Sequence, residues 1–154
     1  MNDARLEVDS SEVQRLFANL TSREQKRVYK RTIRKSANIL VREARKQLKA
    51  VIGRKINSRN WWNGKTLGSG IKVSVSKDNI PEAKVHIMSD FRLKFFELGT
   101  NERRLKKEPR KGAYRGKITA SYFFKKSKAN KEREIFDNME REISQQIYRI
   151  SNRL

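Results

Sequence analysis

The feature that most constrains this fold is an apolar stripe with helical spacing between residues 22 and 52. Thr21 and Glu24 have the T-x-x-E spacing of a capping box, which predicts a helix start, and Gly53 predicts the helix end. The sequence therefore predicts one long helix over residues 22–52. Its apolar positions recur mostly at steps of three to five residues, at Val28, Ile33, Ala37, Leu40, Val41, Ala44, Leu48 and Val51.

The rest of this helix surface is almost purely cationic. Residues 23–54 contain twelve basic and two acidic side chains, and the whole chain of 154 residues has a formal net charge of +21. A charge excess of this size attracts polyanions, and nucleic acid is the usual partner. An acidic protein would satisfy the same electrostatics, and a merely solvated basic surface is the third interpretation.

Alternating apolar and polar residues predict a small antiparallel sheet after the long helix. The alternation runs through residues 71–75, 85–87 and 91–95, with a turn at Asp78-Asn79-Ile80-Pro81 between the first two. A second apolar stripe predicts a C-terminal helix over residues 127–152. We therefore expect an α+β fold, in which the sheet packs against a long helix in the N-terminal half and against the C-terminal helix.

Length and composition predict one domain, residues 1–154. The apolar share of 36% suits a thin core, or a subunit that buries further surface against neighbours. The expected segments are helical (1–53), loop (54–70), β-hairpin or sheet (71–98), basic loop (99–117), and short strand with C-terminal helix (118–154). For residues 118–124, a helix entry is the alternative to the strand. The chain lacks cysteine, and no apolar run approaches the ~20 residues that a membrane span needs, so we expect a soluble intracellular protein with no membrane partner.

Two groups of residues are candidate contact surfaces. We interpret the basic loop as an extended arm that contacts DNA or an acidic protein, with a solvated mobile loop as the alternative. Its basic residues are Arg103, Arg104, Lys106, Lys107, Arg110, Lys111, Arg115 and Lys117. Large aromatic residues anchor many interfaces. For the two tryptophans, we favour either a subunit interface or packing in the core over stacking on nucleic-acid bases. The candidate interface aromatics are Trp61, Trp62, Tyr122, Phe123 and Phe124.

Glu97 is an unusual carboxylate because it follows the alternating apolar residues 91–95. On a continued strand it would share their buried face, and a buried carboxylate needs a partner. The backbone amides of Gly99 and Thr100, or an arginine, are the predicted partners. We interpret Glu97, Gly99 and Thr100 as a structural turn.

The sequence offers little that points to catalysis. His86 is the only histidine, and its alternation with apolar neighbours predicts an exposed strand position. Glu82-Ala83-Lys84 has the E-x-K spacing of some metal-dependent nucleases, but such a site needs a second carboxylate, and Asp78 lies in the same tight turn. We therefore expect a non-enzyme without cofactor or metal, and a nuclease is a remote alternative.

The order of these elements, together with two short motifs, resembles the tail-completion (neck) protein family of long-tailed bacteriophages. That family has an aromatic-rich segment ending in Glu-aromatic-Gly-Thr, and Phe96-Glu97-Leu98-Gly99-Thr100 occupies this place here. The family opens its last helix with a Pro-Phe-Leu-type motif, where this chain has Tyr122-Phe123-Phe124-Lys125-Lys126-Ser127. Thr66-Leu67-Gly68 faintly keeps the family's Thr-Gly-x-Leu element.

The resemblance implies a structural virion protein in the neck or tail, present in the host cytoplasm during assembly. Such subunits form a ring, hexameric by family resemblance, at the head–tail junction or the tail end. The implied partners are further copies, other neck and tail proteins, and phage DNA through non-specific contact. The alternative function, a stand-alone nucleic-acid-binding protein, rests on charge alone.

Overall fold

The computed structural model describes residues 10–78 and 80–153, so residues 1–9 of the predicted helical segment and Asn79 of the predicted turn lie outside the described part. The elements are α1 (Ser10–Ala18), α2 (Ser22–Ile52), β1 (Lys72–Val75), β2 (Ala83–His86), α3 (Arg92–Leu98) and α4 (Phe123–Ser151). Two short 3-10 helices, Gly53–Asn57 and Leu67–Gly70, lie in the predicted loop. The predicted α+β class is confirmed.

The long helix α2 begins and ends where its sequence signals predict. Thr21 Oγ1 accepts a hydrogen bond from Glu24 N at 3.3 Å, and Glu24 Oε2 accepts one from Thr21 N at 2.9 Å. The hydrogen bond from Thr21 N, together with a second from Thr21 Oγ1 to the same carboxylate oxygen at 3.0 Å, lowers the pKa of the Glu24 carboxyl. At the other end Gly53 has a φ of 57° and its N–H bonds to the carbonyl of Lys49. The capping box and the glycine stop are both confirmed.

Helices α2 and α4 lie antiparallel along each other. Gln146 Nε2 donates to Thr32 Oγ1 at 3.3 Å, and Ser36 Oγ donates to Asn138 Oδ1 at 3.0 Å. Helix α1 packs on α4 at the end nearer Gln146. A small core cluster closes this end of the helix pair, formed by Leu20, Val28 and Ile147 with Leu16, Phe17, Ile143 and Ile150 around them.

The main core lies at the opposite end of the helix pair, beneath the hairpin. Val73 of β1 faces Val85 of β2 in the antiparallel register, and both pack against this core. Both strands contact α2, so the sheet covers one side of the long helix. The buried members of the main core are Val41, Ala44, Leu48, Ile56, Leu67, Ile71, Leu93 and Phe123.

The third predicted strand, residues 91–95, is wrong, because Arg92–Leu98 form the helix α3. Leu93 is fully buried, Phe96 is half-buried and Glu97 is 9% exposed, which is the i, i+3, i+4 pattern of a helix face. Over so short a segment, the alternation of apolar residues fits both periods. Leu, Arg, Lys and Glu are also good helix formers, which favours the helix.

Of the two predictions for residues 118–124, the short strand is wrong and the helix entry is confirmed. Residues 118–122 form no strand, and α4 begins at Phe123, four residues before its predicted start at Ser127. The reason is a tertiary one, since the groups that hold this helix start lie on α3 and not in the adjacent sequence.

Candidate partner-binding surfaces

The Glu97 carboxylate caps helix α4 from a distant part of the chain. Its Oε2 accepts from Phe124 N at 2.8 Å and its Oε1 from Lys125 N at 3.2 Å. These amides belong to the first turn of α4. The side chain of the N-cap residue, Tyr122, makes no capping hydrogen bond to that turn. The predicted partners of Glu97 were therefore wrong. A carboxylate at this place also interacts favourably with the helix dipole.

Backbone hydrogen bonds hold the same two segments together beside this carboxylate. The carbonyl of Phe96 accepts from Ser121 N at 3.0 Å and from Ser121 Oγ at 2.7 Å. The carbonyl of Glu97 accepts from Tyr122 N at 3.1 Å. Tyr122 itself has a φ of 51° and a ψ of 34°, the left-handed conformation that turns the chain into α4.

Gly99 and Thr100 bring the returning chain into close contact. Gly99 has a φ of +73°, and a Cβ there would lie 2.7 Å from Ala120 N and 2.8 Å from Ile118 O. Thr100 N donates to Ile118 O at 2.8 Å, while Thr100 Oγ1 accepts from Ile118 N at 2.9 Å. We call this joint between residues 96–100 and 118–125 the corner.

The basic arm, residues 101–117, leaves the corner and returns to it as an irregular hairpin. Arg103 N donates to Gly116 O at 3.1 Å, and Arg115 N donates to Arg103 O at 2.7 Å. Further out, Leu105 N donates to Ala113 O at 2.9 Å. The predicted extended loop is thus paired with itself through backbone hydrogen bonds.

The arm presents its positive charge to solvent. An ion pair of Arg104 with Glu102 is long, at 3.9 Å, and both side chains are more than half exposed. Among the described residues, none of the other seven cations of the arm has an acidic side chain within 4.0 Å. All eight predicted contact residues are exposed: Arg103, Arg104, Lys106, Lys107, Arg110, Lys111, Arg115 and Lys117.

The structure assembles an exposed aromatic patch, formed by Trp61, Trp62, Phe91 and Phe95. The rings of Trp62 and Phe91 stack with centroids 5.2 Å apart, and Trp61 and Phe95 extend the group through edge contacts. Trp61 is 90% exposed, so the interpretation of this residue as part of the core is wrong. Phe91 and Phe95 were not predicted as exposed residues, because the predicted strand placed both on the same buried face as Leu93.

The second predicted aromatic group divides between core and surface. Phe123 is 1% exposed and belongs to the main core, so its prediction as an interface residue is wrong. Phe124 is half-buried and packs against the same core, whereas Tyr122 is 46% exposed. Tyr122 alone of the three offers much surface to a partner.

A buried ion pair that the sequence did not point to supports the aromatic patch. Asp90 is 2% exposed, and its Oδ2 lies 2.7 Å from Arg92 Nη2. Burial works to raise the pKa of Asp90, but the hydrogen bonds and charge of Arg92 outweigh it and hold that pKa below its usual range. Arg92 also donates to Ser58 O, and its guanidinium lies 5.7 Å from the Trp62 ring centroid.

The residues of the remote nuclease alternative lie at the exposed end of the hairpin. Asp78, Glu82 and Lys84 are all exposed, and Glu82 N donates to Ser76 Oγ. Among residues 10–78 and 80–153, no group of three or more His, Cys, Asp and Glu side chains is placed to hold a metal ion. His86 is half-buried and its Nε2 lies 2.9 Å from Ser74 Oγ, so its predicted exposed position was wrong.

Comparison of the chain with protein-family models, with curated proteins and with solved structures gives no match in any of the three. No helix within the described residues is both long enough and apolar enough to cross a bilayer.

Proposed function

We propose that this chain is a structural, non-catalytic protein of a tailed bacteriophage, a neck or tail-completion subunit. It assembles in a ring at the head–tail junction or at the tail end. Its partners are further copies of itself, in a ring that is hexameric by family resemblance, and the neighbouring neck and tail proteins. It resides in the virion, and in the host cytoplasm during assembly.

The observation that carries this proposal is that the two motifs of the family resemblance meet in the corner. Glu97 of the first motif caps the helix that the second motif opens, with hydrogen bonds of 2.8 and 3.2 Å. Gly99 of the first motif permits the close approach of the chain that leads into the second. Because the two motifs form one structural unit, they support a common origin with that family better than two separate motif matches would.

The aromatic patch gives this proposal physical support. A side chain such as Trp61, 90% exposed, gains hydrophobic stabilisation when a partner covers it. Exposed aromatic groups beside an arginine are typical anchors of subunit interfaces. In the ring, the basic arm contacts phage DNA non-specifically or an acidic neighbouring protein.

The mass of the assembled protein tests the proposal. We expect rings in native mass spectrometry and electron microscopy when the chain is mixed with neck and tail proteins of the same phage. Trp61→Ser should shift the population towards monomers, because it removes the most exposed member of the patch without opening the core. A chain that stays monomeric with and without those proteins would contradict the proposal.

A matched control separates the patch from exposed aromatics in general. Phe136 on α4 is 62% exposed and lies outside the patch, so Phe136→Ser removes an exposed aromatic ring and leaves the patch intact. We expect Phe136→Ser to assemble like the unchanged chain. Equal assembly of both variants would show that the patch is not the subunit interface.

A further inference from the structure

A second cationic surface, separate from the basic arm, follows the N-terminal half of α2. We call it the cationic stripe and define it by Arg23, Lys26, Arg27, Lys30, Arg31 and Arg34. Together with Lys35 and Asn38, these side chains line one continuous surface of the helix. Their spacing of three or four residues places them along one side of α2, opposite Val28, Thr32 and Ser36, which are buried in the same half of the helix.

The cations of the stripe have little compensation within the molecule. Lys35 beside the stripe is paired with Glu142 at 3.0 Å, and Lys26 Nζ donates to the backbone carbonyl of Lys77 at 2.7 Å. Within the described part of the chain, none of the six stripe residues has a carboxylate within 4.0 Å. Arg27 contributes to lowering the pKa of Glu24, the acidic residue of the first turn.

Folding alone does not favour this arrangement. Arg23 lies in the first turn of α2, where the helix dipole is already positive. Neighbouring like charges at i, i+4 positions, such as Arg23 with Arg27 and Arg27 with Arg31, add repulsion. A bound polyanion would relieve both costs.

We propose that the cationic stripe binds the phosphate backbone of nucleic acid without reading its sequence. The lining residues are cations and Asn38, with no apolar or aromatic side chain among them. The centres of protein–protein interfaces are enriched in aromatic residues and depleted in lysine, so this surface does not resemble a protein-binding site. Phosphate contacts from lysine and arginine require only charge and reach.

The length of the stripe matches this ligand. At about 1.5 Å per residue, Arg23 and Arg34 lie roughly 16 Å apart along the helix axis. A DNA duplex carries one phosphate per ~1.7 Å of its axis when both strands are counted, so a duplex segment of this length carries about ten phosphates, of which those on the near side face the helix. Six cations on a rigid helix are therefore enough for several simultaneous phosphate contacts.

Fluorescence anisotropy with a labelled DNA duplex of arbitrary sequence tests this inference. The triple variant R27Q/R31Q/R34Q removes three charges of the stripe and keeps good helix formers. The control K128Q/R133Q/R141Q removes three charges from exposed positions on α4. Both variants are compared with the unchanged chain between about 50 and 200 mM salt, where phosphate-dependent affinity falls steeply.

We expect the stripe variant to bind DNA at least tenfold more weakly than the control, and its slope of log affinity against log salt to be less steep by about 0.9 per lost phosphate contact. Equal affinities and slopes for the two variants would overturn the inference. So would a loss that appears only with poly-glutamate, an acidic polypeptide, and not with DNA. The inference does not depend on the ring, since the two variants can be compared as monomers.

Discussion

Asp90 shows how one buried side chain connects segments that are distant in the sequence. Its carboxylate accepts from Arg92 Nε at 2.9 Å and from the backbone N of the same residue at 3.1 Å. Arg92 in turn reaches Ser58 and Trp62 in the loop that precedes the hairpin. This one pair therefore fixes the start of α3 relative to the aromatic patch.

The pH dependence of stability tests this role. Because the folded-state pKa of Asp90 is lowered, the pair contributes stability above the unfolded-state pKa of about 3.9 and loses it as pH falls through the lowered folded-state pKa. We expect Asp90→Asn to lower the free energy of unfolding by about 1–3 kcal/mol at pH 7. This difference from the unchanged chain should shrink below about pH 4.

Urea unfolding at several pH values measures this difference. Thr100→Val is the control, because it removes the hydroxyl that accepts from Ile118 N but no titrating group. Its effect on the free energy of unfolding should stay constant with pH. An Asp90→Asn difference that is equally constant would show that the ionised pair contributes no net stability.

At the scale of elements, α3 and α4 depend on each other. The carboxylate at the C-terminal end of α3 occupies the amides that open α4, and Tyr122 supplies no side-chain cap of its own. Helix starts leave such amides without intrahelical partners, so an uncapped start would be costly here. The corner thus holds the end of one helix, the start of another and both ends of the basic arm.

Removing this cap tests the link between the two helices. Glu97→Ala should lower the free energy of unfolding by about 2 kcal/mol, since it removes two hydrogen bonds to a charged acceptor and leaves amides partly buried. Glu97→Gln retains one side-chain carbonyl acceptor and should lose less. Denaturant unfolding followed by circular dichroism measures both effects.

Glu102→Ala is the matched control for Glu97→Ala, because it removes the same charge from an exposed position with only a 3.9 Å ion pair. Its expected effect is below about 1 kcal/mol, as for other surface pairs. If Glu97→Ala and Glu102→Ala were equally stable, the cap would contribute nothing beyond its charge.

At the scale of the whole molecule, self-repulsion opposes folding. The formal net charge is +21, and the described residues form four ion pairs, of which Asp90–Arg92 alone has a fully buried member. The cationic stripe and the basic arm concentrate this charge on two surfaces. Such a field attracts polyanions and destabilises the compact state that carries it.

Screening of this repulsion by added salt should therefore stabilise the folded protein. Raising NaCl from about 10 to 150 mM shortens the Debye length from roughly 30 to 8 Å, which weakens repulsion between exposed cations. We expect the melting temperature to rise by several degrees, equivalent to about 1–2 kcal/mol. The variant K106E/K107E/R110E has three fewer positive and three more negative charges, which lowers its net charge by six, and it should gain less. A melting temperature that falls with added salt would contradict this account.

The sequence by itself determined the elements whose signals are local. The capping box at Thr21, the stop at Gly53 and the apolar stripe between them gave the bounds of α2, because helix caps and helical periodicity act within a few residues. The hairpin strands followed from their alternation in the same way. The charge of the basic arm could also be read directly from its residues.

Only the tertiary structure decided the corner and the aromatic patch. Glu97 is 27 residues away from Phe124, the amide it caps, and no periodic pattern reports such a contact. Residues 91–95 fit a strand as well as a helix until Leu93 and Asp90 are buried, because five residues are too few to separate the two periods. Packing, which acts between distant residues, resolved what local propensity left ambiguous.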